Sequence, residues 1–176
     1  ILLNPVALRR ISNPPPKFRT KSSKTNFMQK QNVVRLLLEL TWWVITVVVV
    51  WAVLAPIDKA TGVWPFRTWN IIFVVALVTF VRHIFLLEHT FVAKQQILKI
   101  VLLLLMFPVT FMLINGISDF MTYIEEKTWD PFTGHLPAVE KLATEKYIWN
   151  EMLFFGIGSI ISAPAFAARM MLSIWR

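Results

Sequence analysis

Cysteine is absent from the chain, and glycine is scarce, at five residues in 176. Without cysteine there is no disulfide, no thiolate nucleophile and no thiolate ligand for a metal. The sequence also has no glycine-rich phosphate loop, no helical His-Glu-x-x-His motif and no Ser/His/Asp arrangement beside a recognisable turn. We therefore predict that the chain has no catalytic residues and is not itself an enzyme.

Acidic residues are missing before Glu39, whereas eight basic residues lie there. The ten basic residues that follow equal the ten acidic residues in number, so the whole net charge of +8 is N-terminal. Basic residues beside a first membrane span stay on the cytoplasmic side and attract anionic headgroups. We predict that residues 1–28, which include Pro14, Pro15 and Pro16, form an extended basic arm that binds anionic lipid. Nucleic acid is not an expected partner.

Long apolar segments without charge make up much of the remaining chain, over residues 40–54, 70–81 and 101–114. The hydrophobic share is 56%, against about 45–50% for soluble domains even when glycine is counted. A helix of about 20 apolar residues crosses the hydrocarbon core of a bilayer. Residues 29–176 are thus predicted to form an all-α, polytopic membrane domain. Its four transmembrane helices are expected at residues 36–57, 68–91, 97–117 and 148–174.

The direction of the spans is predicted from charge. No glycine or proline lies between Phe66 and Phe107, so the polar residues 89–96 are the expected reversal between the second and third spans. Residues 118–146 contain six acidic and three basic residues and are predicted to form an extracytoplasmic loop. With the basic segments inside, the N-terminus and C-terminus are both cytoplasmic. The expected location is a bacterial cytoplasmic (inner) membrane, with an organellar inner membrane as the alternative.

Membrane-embedded polar residues concentrate between Arg82 and His89. Ionisable groups at mid-depth cost about 2.5–3.5 kcal/mol each, so such residues are candidates for function. Arg82 and His83 are the ionisable residues with the deepest expected positions, because the topology places Glu88 near the cytoplasmic interface. Arg35 and Glu39 lie at the same side of the membrane. One expectation is that Arg82 snorkels toward the cytoplasmic boundary, with Glu88 and His89 at the interface. The other is an intramembrane polar network of Arg35, Glu39, Arg82, His83 and Glu88, or one with residues of a partner subunit.

His83 and His89 are the candidate cofactor ligands. They lie about 120° apart around one helix, and His135 lies in the outer loop, so a haem held by two histidines of this chain is excluded. A haem or pigment with a single ligand from this chain, a haem shared between subunits, and a quinone beside Arg82, His83 and Trp42 or Trp43 remain as alternatives. No cofactor and no metal is predicted outright.

Small residues repeat at helical spacing in the fourth span and would let another helix backbone approach closely. The predicted packing face is Gly158, Ser159, Ser162, Ala163 and Ala167. Together with the missing catalytic motifs, this face favours a non-catalytic subunit that scaffolds or stabilises a larger membrane complex, with other membrane subunits as partners. One alternative is a redox, quinone or pigment-site subunit of an electron-transfer complex that uses the Arg82 and His83 region. The other is a component of a transporter or of an ion or proton channel.

Overall fold

The computed structural model of the chain is helical and describes residues 21–87 and 95–175, without the side chains of residues 21–32 and 35. Four helices are long enough and apolar enough to cross a membrane. No β strand occurs in these residues, so the predicted all-α fold with four membrane-length helices is confirmed. The helices are α1 (Lys21–Ala60), α2 (Arg67–Leu86), α3 (Gln96–Lys127), the short α4 (Asp130–Thr133) and α5 (Ala138–Trp175).

The chain divides into two units, residues 1–34 and residues 35–176. In the first unit only the beginning of α1 is described, so the predicted basic arm over residues 1–28 lies mostly outside the described residues. The predicted reversal at residues 89–96 also lies mostly outside them, as do Glu88 and His89. The contacts between helices described below all lie in the second unit.

Helix α5 is the central helix of the second unit, because both α2 and α3 pack against it. Small residues make this close approach possible. A Cβ atom added at Gly156 would lie 2.8 Å from Ile117 Cδ1 of α3, and one added at Gly158 would lie 3.3 Å from Leu77 of α2. Three residues of the predicted packing face are buried within this chain: Ser159, Ser162 and Ala163. At least part of that face therefore packs against helices of the same chain.

An aromatic cluster covers one end of α3 and α5. Trp64 and Phe66 come from the connection between α1 and α2, Phe120 from α3 and Phe132 from α4. Trp64 lies 5.1 Å from Phe132 and 6.2 Å from Phe120 between ring centroids, both nearly edge-to-face, which is a favourable geometry for aromatic pairs. The cluster fixes the short connection that contains α4 onto the bundle.

The predicted outer loop is largely helical. Residues 118–127 continue α3 and residues 138–146 begin α5, so the two helices are about 48 and 57 Å long, well beyond the hydrocarbon thickness of about 30 Å. Lys141 of α5 hydrogen-bonds Asp130 of α4, and this bond holds the pKa of the Asp130 carboxyl below its usual value. The connection between α3 and α5 is therefore short and held in place.

Gly116 tests the packing of α3 against α2. A Cβ atom there would lie 2.5 Å from the ring of Trp69, so Gly116→Ala should force the ring or the helix to move and cost about 1–3 kcal/mol of unfolding free energy. For a chain of this size, such a loss of unfolding free energy lowers the thermal midpoint by about 2–4 °C per kcal/mol. Gly62→Ala is the matched control, because no atom lies within 4 Å of its added Cβ. Equal midpoints for the two variants in detergent would contradict the packing described.

Candidate functional site

Arg82 joins α2 to α1 through an ion pair with Glu39. The Arg82 side chain is only 7% exposed and that of Glu39 32%. Trp42, three residues after Glu39 and so on the same side of α1, places its ring 5.8 Å from the Arg82 guanidinium carbon, which allows a cation–π interaction. The Arg82 Nε atom is buried and makes no hydrogen bond to any described residue. This is the most strongly linked polar group between α1 and the other helices.

An apolar cleft of about 370 Å³ lies beside this ion pair, between α1 and α2. Apart from Arg82, the residues that line it are all apolar or aromatic: Trp42, Ile45, Val49, Leu77, Val78, Val81, Phe85 and Leu86. A cleft with apolar walls and one cationic residue suits a ligand with an apolar body and a polar head group. Two of the residues that line the cleft, Arg82 and Trp42, are among those predicted to lie beside a quinone.

His83 lies apart from this cleft. Its Nδ1 atom is 2.7 Å from the carbonyl oxygen of Thr79, and its ring meets Phe166 of α5 edge-on at 5.6 Å between centroids. Neighbouring residues on a helix point about 100° apart, so Arg82 faces α1 whereas His83 faces α5. The structure thus pairs Glu39 with Arg82, whereas the direct contacts of the His83 ring are with Thr79 and Phe166.

The other predicted site residues lie beyond what the structure describes. Glu88 and His89 are outside the described residues, and the side chain of Arg35 is not described. The cofactor role of His83 and His89 therefore stays a prediction. Within residues 21–87 and 95–175, no group of three His, Cys, Asp or Glu side chains could hold a metal ion.

A second polar pair, which the sequence analysis missed, joins α2 to α5. Asn70 Nδ2 donates a 2.7 Å hydrogen bond to Glu151 Oε2. The two residues are 0% and 6% exposed. Asn70 lies one turn inside α2, and Glu151 lies one turn inside the predicted fourth span, which starts at residue 148, although α5 itself begins at Ala138. That coincidence of two polar residues at one depth was the only signal in the sequence.

Lys99 is also buried, which its position near the start of the third span did not suggest. Its Nζ atom donates to the Oγ atom of Ser173 at 2.8 Å and to the carbonyl oxygen of the same residue at 3.2 Å. Lysine at the C-terminal turn of a helix satisfies carbonyl groups that have no partner in the helix, and its charge interacts favourably with the helix dipole. Lys99 of α3 thus satisfies hydrogen-bond acceptors at the C-terminal end of α5.

The described residues thus form a helical protein with four helices that can cross a membrane, and the polar contacts between these helices include the pairs Glu39–Arg82 and Asn70–Glu151. Arg82 and Asn70 are twelve residues apart on α2, or about 18 Å along its axis. Comparisons of the chain with protein families, curated proteins and solved structures give no match.

The Glu39–Arg82 pair should contribute measurably to stability. Breaking a fully buried ion pair costs about 3–5 kcal/mol, and Arg82→Gln should cost less than this, because Glu39 keeps partial exposure. The double variant Glu39→Gln/Arg82→Gln should be more stable than the sum of the single variants implies, by about 0.5–3 kcal/mol. Thermal unfolding in detergent measures this cycle.

Arg67→Gln is the matched control for that cycle. Arg67 pairs with Asp58 at 3.0 Å, but both side chains are exposed, so the loss should be about 0–1 kcal/mol. Additive effects of Glu39→Gln and Arg82→Gln, or a cost no larger than that of the control, would contradict the role given to the buried pair.

Proposed function

We propose that the chain is a non-catalytic subunit that scaffolds or stabilises a larger membrane protein complex, through helix packing and its N-terminal arm. The observation that carries the proposal is the outward face of α1. Eight large apolar residues of this helix are exposed over an arc of about 140°: Leu36, Leu37, Leu40, Trp43, Val44, Val47, Val48 and Trp51. The proposed occupant of this face is an apolar transmembrane helix of another subunit.

Two tryptophans favour a protein partner over lipid on this face. Trp43 is 57% exposed and Trp51 72%, and each lies about 10–13 Å along the helix from the nearer end of the span Leu36–Ala60. Tryptophan that faces lipid is enriched at the headgroup level rather than at this depth. At protein interfaces, in contrast, tryptophan is among the residues that contribute most to binding.

A limited set of contacts holds α1 to the other helices in the described residues, which also fits a helix shared with a partner. Besides the Glu39–Arg82 pair, Asp58 pairs with Arg67 of α2 at 3.0 Å, and the Tyr147 hydroxyl of α5 donates a 3.1 Å hydrogen bond to the Val53 carbonyl oxygen. Leu54 and Ile57, near the C-terminal end of α1, are buried. The cleft beside Arg82 separates α1 from α2 along part of their length. A second subunit packed on α1 would supply contacts that this chain does not.

The proposal includes an orientation and a location. Both termini face the cytoplasm, and the membrane is a bacterial cytoplasmic membrane or an organellar inner membrane. Support comes from the eight basic residues before Glu39 and the acidic residues 118–146, which the positive-inside rule places on opposite sides. The basic arm would then lie on anionic headgroups or on a partner subunit at the cytoplasmic surface.

Co-purification tests the subunit proposal. Protein extracted from its native membrane in mild detergent should elute with other membrane subunits, and Trp51→Ala together with Trp43→Ala should reduce their recovery several-fold. Phe154→Ala on α5 is the matched control, since Phe154 is exposed and aromatic too but lies outside the proposed face. A monodisperse single chain, or equal loss of partners in the control, would overturn the proposal.

The cleft beside Arg82 favours a second candidate function, a quinone or pigment site in an electron-transfer complex. Arg82 would donate a hydrogen bond to a carbonyl oxygen of the head group, and the apolar walls would hold the rest of the ligand. His83 could not contribute from its described position against Phe166. This candidate therefore depends on Arg82 and Trp42 rather than on the histidines.

Photolabelling distinguishes this second candidate. A photoreactive quinone analogue should label the α1 and α2 peptides that line the cleft, and excess quinone should compete. Val78→Trp should abolish labelling by filling the cleft, whereas Val63→Trp, in the exposed connection after α1, should not. Labelling that survives Val78→Trp, or no labelling above background, would exclude a quinone from the cleft.

A further inference from the structure

The pair formed by Asn70 and Glu151 leaves two polar atoms without partners. Asn70 Nδ2 donates to Glu151 Oε2, while Glu151 Oε1 and Asn70 Oδ1 are buried and make no hydrogen bond to any described residue. An amide oxygen accepts hydrogen bonds and cannot donate, and the same holds for an ionised carboxylate. If Glu151 were ionised, the pair would hold two buried acceptors and no donor for either.

The surroundings of the pair are apolar. Ile148 and Met152 on α5, and Phe73 and Val74 one turn after Asn70 on α2, are completely inaccessible. An ionised carboxylate in such surroundings is strongly disfavoured unless it is paired and hydrogen-bonded. The pair therefore lies where a neutral acid is far less costly to bury than a charged one.

No cation compensates Glu151 in the part of the chain that the structure describes. On α2, the Arg67 guanidinium is exposed and donates to Asp58 at 3.0 Å. On α5, the Tyr147 hydroxyl one turn away donates to the Val53 carbonyl oxygen. On α3, Asp119 is exposed and would add only negative charge. The ion pairs of the described residues do not include Glu151.

We propose that Glu151 is a proton-binding site within the helical bundle and that Asn70 is placed to hold its protonated form. A proton on Oε1 supplies the one donor that the pair lacks. The carboxyl O–H then donates to Asn70 Oδ1 while Nδ2 donates back to Oε2, and two hydrogen bonds join α2 to α5. If the amide has the opposite orientation, the 2.7 Å contact joins Asn70 Oδ1 to Glu151 Oε2, and a proton on Oε2 is then needed to make it a hydrogen bond.

The site goes beyond the scaffold function and does not depend on it. An ordinary polar link between membrane helices needs only one hydrogen bond, and the carboxyl group can be charged or neutral. A proton-binding site requires the neutral acid at neutral pH. The protonation state of Glu151 therefore separates the two roles.

Infrared spectroscopy of the full chain in lipid nanodiscs at neutral pH tests the proposal. The wild-type protein should absorb in the carbonyl region of a protonated carboxyl group, and Glu151→Gln should lose that band. Asn70→Leu should shift the band to higher frequency, because the carboxyl group loses its amide partner. Glu140→Gln is the matched control, since Glu140 is an exposed residue of the same helix, and it should leave the band unchanged.

Thermal unfolding gives a second measurement. Glutamine has the shape of the neutral acid, and its NH₂ group can donate to Asn70 Oδ1, so Glu151→Gln should keep the wild-type midpoint, whereas Glu151→Ala should lower it by several degrees. A wild-type spectrum without the band, a band that persists in Glu151→Gln, or unfolding of Glu151→Gln would each overturn the proposal. A carboxylate bridged by water would give the first of these results.

Discussion

Inside a bilayer every buried polar group must find its partner within the protein, and the arrangement of this chain depends on that constraint. Among the described residues, buried polar groups meet across helices in several places: Glu39–Arg82 joins α1 to α2, Asn70–Glu151 joins α2 to α5, and Lys99 joins α3 to α5. Apolar packing between helices is only weakly directional in lipid, because lipid chains are as apolar as the side chains. The polar contacts therefore fix which helices are neighbours and in what register.

The three helices α2, α3 and α5 differ from α1 in how they are held. Glycine and serine residues of α5 allow α2 and α3 to pack closely against it, and the aromatic cluster with α4 closes one end of this group. Helix α1 is held by polar contacts and by buried residues near its C-terminal end, Leu54 and Ile57, with a cleft beside Arg82. The exposed Trp43 and Trp51 lie on this helix. The scaffold proposal concerns the outward face of α1, and the quinone alternative concerns the side that faces α2.

The two polar pairs avoid an unpaired buried charge in opposite ways. The Arg82 guanidinium is paired with the Glu39 carboxylate and faces the ring of Trp42. Glu151 meets only a neutral amide, so in our proposal it is protonated and becomes a hydrogen-bond donor. The first pair suits a structural link beside a ligand cleft, and the second suits a group that binds and holds a proton.

Segment length, missing charge and an isolated charge in an apolar helix are local properties of the chain, so the all-helical class and the four apolar helices follow from the sequence, and Arg82 stands out in it. Which polar residues meet depends on the packing of the helices. Glu151 and Asn70 are 81 positions apart, Lys99 and Ser173 are 74 apart, and no helical periodicity relates residues on different helices. For the same reason the sequence does not show that the ring of His83, next to Arg82 in the chain, packs against Phe166 of α5 while Arg82 pairs with Glu39 of α1. Burial depends on which helices pack together, and that is set by contacts between residues far apart in the chain.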